Sequence, residues 1–152
     1  MTFDTWQDFE DAGWDCVEVG RLTEAAIYAR QAIKINPNAI DAYVILARAA
    51  ETDGERIAFL REGVRIGESQ FEKELLAAPS DDFPFWGLIE TRPFMRALQA
   101  LSLVLFRDGR PGAKDEAVSI WRRLYAICPN DNLGVRFLIA EFDETGDVEL
   151  DD

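Results

Sequence analysis

The chain has 152 residues, of which 48% are apolar, and this is enough for one globular domain with its own core. It carries 29 acidic and 16 basic residues, so the formal net charge is −13. That charge opposes binding to the phosphate backbone of nucleic acids or to an anionic membrane surface. Histidine is absent, which excludes zinc sites built on histidine and nucleophiles activated by a histidine base.

The apolar pattern, the acidic start of the chain and the cysteines lead us to expect a cytoplasmic protein with no membrane insertion. No apolar run approaches the roughly 18 residues of a membrane span, and the acidic start of the chain is unlike a secretory signal. Cys16 and Cys128 are far apart and belong to no Cys-x-x-Cys motif. We expect both to be reduced thiols, because disulfides are rare in the cytosol, with a disulfide between them as the alternative.

Residues 6–39 have the pattern of a helical hairpin. Its small and turn residues are Gly13, Gly20, Ala25 and Ala32. This arrangement resembles the tetratricopeptide repeat, a pair of helices with a period of about 34 residues. In that family a small residue on the first helix faces a small residue early in the second. The resemblance therefore implies that Gly13 faces Ala25 in a hairpin over residues 5–36.

A second hairpin is predicted over residues 38–77. The recurring residues, about 34 positions after their counterparts, are Tyr43, Ala47 and Gly54. Asn38 and Asp41 predict a capping pair at its start. Two glycines, Gly63 and Gly67, weaken its second helix. We therefore predict a break after residue 66 and a short helix to Ala77.

The third hairpin is predicted over residues 92–128, after a loop at 78–92 that is rich in proline and acidic residues. Thr91 is expected to cap its first helix, with Pro93 in the first turn. The apolar stripe of that helix is formed by Phe94, Leu98, Leu101 and Leu105. The loop aromatics are expected to fold back onto the helices; they are Phe83, Phe85 and Trp86.

The chain is predicted to end with one more helix and an acidic tail. The last helix is expected over residues 130–142 with Asn130 as its cap. Residues 143–152 are acidic and nearly free of aromatics, so we predict a disordered tail.

Two stretches in the second half, FWGLIETRPFMRA and CPNDNLGVRFLI, resemble signatures of bacterial tetratricopeptide-like relatives of the suppressor-of-tumorigenicity-seven family. That resemblance implies a scaffold or adaptor and supplies no catalytic residues. The predicted fold is all-α, a single domain over residues 1–142. Its tetratricopeptide-type hairpins are expected to stack as a short right-handed α-solenoid with a C-terminal solvating helix.

In such a stack the first helices of the hairpins line a groove that suits a peptide. Projected onto this chain, the groove residues are Gln7, Glu10, Trp14, Asp41, Val44, Arg48, Arg96, Gln99, Leu103 and Phe106. Trp14 and Phe106 are expected to be exposed aromatics that anchor a partner. The alternative is that Trp14 packs against the terminal cap and Phe106 against the loop aromatics.

Polar residues gather in the two signature stretches. We interpret Glu90, Arg92, Asp131, Asn132 and Arg136 as a buried network that fixes the third hairpin against the last helix. An anion or peptide pocket with Arg92, Arg96 and Arg136 as donors is the alternative. Carboxylate pairs elsewhere are interpreted as solvated surface, so no metal or cofactor is expected.

These observations favour a protein-interaction module over an enzyme. The partner is expected to be a basic or amphipathic protein segment, because the net charge is −13. One alternative is a subunit that docks into a larger assembly and uses the groove only as architecture. A second is an acidic inhibitor or immunity-type protein of a basic partner. A hydrolase that uses carboxylates alone is the least favoured.

Overall fold

The computed structural model describes residues 5–77, 88–131 and 133–150, and within these ranges the chain forms helices and turns with no strand. The α-helices are α1 (Trp6–Glu18), α2 (Leu22–Ile35), α3 (Ile40–Ala49), α4 (Asp53–Gln70), α5 (Glu72–Ala77), α6 (Arg92–Asp108), α7 (Ala113–Ile127) and α8 (Val135–Thr145). A 3-10 turn at Ile89–Thr91 precedes α6. The all-α prediction is confirmed. No helix in these ranges is both long enough and apolar enough to cross a membrane.

The helices pack as three hairpins in a row, α1 with α2, α3 with α4, and α6 with α7. The first helices also contact one another in order, α1 with α3 and α3 with α6. Each second helix reaches forward, so that α2 also packs on α3, α4 on α6 and α7 on α8. This neighbour-to-neighbour packing is the arrangement of a helical-repeat stack.

Small residues let the helices of the first hairpin approach closely, as the repeat pattern predicts. A Cβ atom added to Gly13 would lie 3.5 Å from the carbonyl oxygen of Ala25 and 3.1 Å from Cδ1 of Ile45. Ala25 itself is fully buried. Gly13 therefore faces both its own hairpin partner α2 and the next first helix, α3.

The predicted break near residue 66 is wrong, because α4 continues to Gln70. Gly63 and Gly67 are buried against α6, where a Cβ atom on Gly67 would lie 2.6 Å from Cγ of Phe94. The glycines therefore serve close helix packing rather than helix termination, and tertiary contact outweighs their poor helix propensity. The chain turns instead at Phe71, whose buried ring lies 6.2 Å from that of Phe94.

The core consists of two clusters of unequal character. The smaller cluster lies between α1, α2 and α3, and five of its seven buried members are alanines. The larger one runs from α3 to the end of the chain and contains the bulky side chains, Phe94 and Trp121 among them. Three partly buried aromatics touch both clusters; they are Trp14, Tyr43 and Phe59.

Trp121 also ties α7 to α6. Its indole N–H donates to the Ser102 hydroxyl at 2.8 Å, and that hydroxyl donates to the Gln99 carbonyl at 2.6 Å. Both Trp121 and Ser102 are fully buried, so the small polar residue on α6 satisfies the one polar atom of the largest core side chain.

The predicted disordered tail is wrong for the residues that the structure describes. Helix α8 runs to Thr145, and beyond it Val148 is only 7% exposed. Glu141 Oε1 accepts the N–H of Glu149 at 3.1 Å, and Lys114 pairs with Asp147 at 3.3 Å. Val148 is an apolar residue within an acidic stretch, and its burial was not expected from the composition of that stretch. The loop at 78–87 and residues 151–152 lie outside the described residues.

Candidate functional site: the face of the first helices

The helices α1, α3 and α6 contact one another in sequence, so their side chains form one continuous surface, here called the first-helix face. The predicted groove residues differ in their exposure on it. Exposed members are Gln7 and Arg48; partly exposed members are Trp14, Arg96, Gln99 and Leu103; buried members are Glu10, Asp41, Val44 and Phe106. Glu10, Asp41 and Phe106 are buried because each contacts another helix, and Val44 lines a hollow described below.

Phe106 was expected to be an exposed anchor, and this is wrong because it is 4% exposed. Its ring centroid lies 5.2 Å from that of Trp121 on α7 and 6.3 Å from that of Phe142 on α8. Lys114 Nζ lies 4.9 Å from the same ring centre. Phe106 therefore joins the last helix to the third hairpin rather than facing a partner, and the loop aromatics of the alternative lie outside the described residues.

Glu10 and Asp41 form a polar cluster with Arg96 that joins the three first helices. Glu10 Oε2 accepts the N–H of Ala42, in the first turn of α3, at 2.9 Å. Both oxygens of Asp41 accept from Arg96, at 3.1 Å from Nε and 2.8 Å from Nη2. Such a two-point contact is the strong geometry for an arginine and a carboxylate.

This cluster also corrects the predicted capping pair at the start of α3. The Asn38 N–H donates to Asn36 Oδ1 at 3.0 Å, and Asp41 is directed to Arg96. One N–H of the first turn of α3, that of Ala42, is instead accepted by Glu10 from a different helix. Burial raises the pKa of Glu10 to about 7; nearby Asp41 adds to the rise, and the Ala42 hydrogen bond opposes it.

A hollow of about 450 Å³ opens where α3, α4 and α6 meet. We call it the arginine pocket. Its apolar wall is formed by Val44, Ala47, Leu60, Ala100 and Val104, and its polar rim by Arg48, Asp53, Arg56 and Arg107. Arg56 is held in place, at 2.8 Å from Asp53 Oδ1 and 2.7 Å from the Ala50 carbonyl oxygen. Arg48 and Arg107 are exposed and have no ion-pair or hydrogen-bond partner in the described part of the chain.

A second hollow, of about 370 Å³, lies between α4, α6 and α7 and has the opposite character. Arg61 makes a two-point contact with Glu116 at 2.7 and 2.9 Å. Arg123 lies 3.6 Å from Glu68. The charges on this side of the stack neutralise one another and connect α4 to α7.

The polar network predicted from the signature stretches is only partly formed. Asp131, whose side chain is 2% exposed, accepts the N–H groups of Val135 at 2.8 Å and Arg136 at 3.2 Å. It thereby fixes the start of α8. The prediction that Arg136 is a buried member of the network is wrong, because its side chain is 57% exposed. Its guanidinium lies 4.9 Å from the Phe137 ring centre.

The remaining members of that network differ in their burial. Glu90 is exposed, so its predicted place in a buried network is wrong. Arg92 is half-buried at the start of α6. Asn132 lies outside the described residues. Thr91 was expected to cap α6, but its buried hydroxyl donates to the Leu88 carbonyl at 2.9 Å instead.

Sequence reasoning found Arg48 but missed Arg107 and the pocket they share. One available signal is that each of these arginines stands in the last turn of a first helix, α3 and α6 respectively. The third side of the pocket comes from α4, and that approach could not be inferred from spacing within one repeat.

Comparison of the chain with models of protein families, with characterised proteins and with solved structures gives no match. The tetratricopeptide resemblance therefore rests on the residues of the hairpins themselves.

Proposed function

We propose that the chain is a cytoplasmic protein-interaction module that binds an amphipathic segment of a partner protein across the first-helix face. The observation that carries the proposal is the mixture of side chains on this face. Trp14 and Leu103 are apolar and partly exposed, Gln7 and Gln99 are polar, and the arginine pocket is lined in part by the same helix as Leu103. A surface that mixes partly exposed apolar side chains with polar ones has the make-up of a peptide-binding site.

The local charges favour an amphipathic partner over a purely basic one. The net charge of −13 attracts cations at long range, but the described chain presents two exposed, unpartnered arginines beside this face, Arg48 and Arg107. Steering at long range affects the association rate, whereas contacts at the surface decide which segment remains bound. No enzymatic activity is proposed.

A second candidate function is docking into a larger assembly through α8. Its one fully buried residue is Val135, and the Phe137 side chain is 65% exposed. A large exposed aromatic on a lightly covered helix favours a contact with another protein at that end of the stack.

The test is a quantitative pull-down that compares the wild type with matched surface variants. Leu103→Glu places a charge on the first-helix face, and Ile27→Glu places the same charge on α2, where Ile27 is 56% exposed. Partners that disappear with Leu103→Glu and remain with Ile27→Glu support the first-helix face. Partners that disappear only with Phe137→Glu support the docking subunit.

Folding must be checked for each variant by thermal melting, because Leu103 also contacts the core. If Leu103→Glu does not fold, Gln99→Glu replaces it, with exposed Gln31→Glu on α2 as its control. Partners that are retained by every folded first-helix variant would contradict the proposed function.

A further inference from the structure

We propose that the arginine pocket is a specificity site for a carboxylate side chain that stands beside an apolar residue in the partner segment. This inference rests on the proposed function and names the chemistry of the ligand. Arg48 and Arg107 supply the charge, and the apolar wall from α3, α4 and α6 supplies the surface for the neighbouring side chain.

The first support is the state of the two arginines. In this acidic chain most arginines of the described residues have a carboxylate within ion-pair distance, as Arg61 has Glu116 and Arg96 has Asp41. Arg48 and Arg107 have none there, although the chain has 29 acidic residues. Their location in the last turn of a helix is favourable for the helix dipole, but that interaction leaves the guanidinium donors unused.

The second support is the shape and lining of the pocket. Its volume of about 450 Å³ falls within the usual range of ligand sites. The wall residues Val44, Leu60 and Val104 are almost completely buried, so the apolar surface belongs to the rigid core. Arg56 and Asp53 also line the pocket, and they are paired with each other at 2.8 Å.

The third support is charge complementarity. Arg56 is paired with Asp53, so Arg48 and Arg107 remain as two uncompensated cations that favour an anionic group. A phosphate monoester carries close to two negative charges at neutral pH and is repelled more by a chain of net charge −13 than one carboxylate is. A single carboxylate matches the two available guanidinium groups and can accept hydrogen bonds from both. The adjoining wall then favours an aliphatic or aromatic neighbour of that acid.

The experiment uses a phage library of random 12-residue peptides selected on the full-length protein. Selected sequences are expected to carry Asp or Glu next to Leu, Ile or Phe. Synthetic copies are then measured by fluorescence anisotropy against the double variant Arg48→Gln with Arg107→Gln. Loss of two charge-assisted contacts is expected to weaken binding by about tenfold or more.

The matched control removes the same two charges from another surface. Arg30→Gln with Lys34→Gln changes two exposed residues of α2, and binding is expected to stay within about twofold of the wild type, because exposed charges on a distant surface are largely screened. Peptides without acidic residues, or equal affinity for the pocket variant, would overturn the proposed specificity. If such peptides still depend on Leu103, the first-helix face remains a binding site.

Two further outcomes are decisive. Peptides that bind independently of both Leu103 and the two arginines would overturn the specificity site and the proposed function together. Inorganic phosphate that displaces the selected peptide, and that does so only when Arg48 and Arg107 are intact, would assign a phosphate site and overturn the carboxylate assignment.

Discussion

Gly63 and Gly67 stand one turn apart on α4, and both are buried against α6. Their surroundings differ in one respect. A Cβ atom on Gly63 would lie 3.5 Å from Ala97 Cβ and 3.6 Å from Ile40 Cγ2, which are ordinary contact distances. A Cβ atom on Gly67 would overlap the ring of Phe94, which is fully buried and has no room to move.

The same substitution at these two glycines is therefore expected to have opposite effects. Gly63→Ala should stabilise the fold by up to about 1 kcal/mol, because alanine favours the helix. Gly67→Ala should destabilise it by about 1–3 kcal/mol, because overpacking outweighs that gain. Urea melts of the two variants measure both free energies. Equal stabilisation by both would show that α6 can shift away from α4.

Glu10 links the stability of the fold to pH. Its pKa is about 7 in the folded chain, against an ordinary value of 4.5, so the folded state binds its proton more tightly than the unfolded state. The stabilisation from this proton is fully present below pH 4.5 and is lost as the pH rises through 7. The shift corresponds to a free energy on the order of 3 kcal/mol.

Glu10→Gln should remove most of this dependence. The amide oxygen can still accept the Ala42 N–H, but it carries no charge beside Asp41. We expect the variant to be about 1–3 kcal/mol more stable than the wild type at pH 8 and nearly equal to it at pH 4.5. Urea melts at the two pH values test this, with exposed Glu18→Gln on the same helix as the control. A constant difference at both pH values would contradict it.

At the scale of the helices, the start of α8 depends on one side chain. Asp131 has a positive φ of 54° and accepts two backbone N–H groups at the helix start. Its other contact, the exposed Arg136 guanidinium at 3.6 Å, is of the kind that contributes little.

Asp131→Ala is therefore expected to cost about 1–2 kcal/mol from the lost cap, with some further strain at the positive φ. Asp131→Gly should cost less than Asp131→Ala, because glycine tolerates that backbone conformation. Arg136→Ala should cost less than about 1 kcal/mol. Chemical unfolding followed by circular dichroism gives the order of the three. A larger loss with Arg136→Ala would reinstate the buried network.

The helices that could be predicted are those whose signals are local. Small residues and the turn glycine lie within one hairpin, so the pairing of Gly13 with Ala25 could be expected from the resemblance to the tetratricopeptide repeat. The continuation of α4 through Gly67 could not be predicted in this way, because Gly67 packs against the Phe94 ring from another hairpin. The ordered tail was missed for a related reason, since burial of Val148 depends on a surface that only the folded chain provides.

At the scale of the whole molecule, the sequence placed the first helices on one face but could not distinguish their exposed side chains from those that join the helices. Glu10 and Arg96 are examples, because their partners Ala42 and Asp41 lie on another helix, and both pairs are separated by more than thirty positions. The arginine pocket needs three helices from two hairpins. A periodic pattern gives the side of a helix that faces inward, but not the distance to its neighbour.

The alanine-rich cluster between α1, α2 and α3 has a consequence for how the chain opens. Five of its seven buried side chains are single methyl groups, so removing this hairpin from the stack exposes less apolar surface per residue than removing α6 and α7, which bury Phe94 and Trp121. Partial opening should therefore begin at the amino-terminal hairpin. Backbone amides of α2 are expected to exchange with deuterium sooner than those of α6 in native buffer. Trp14, which touches both clusters, would then change its fluorescence before the global transition.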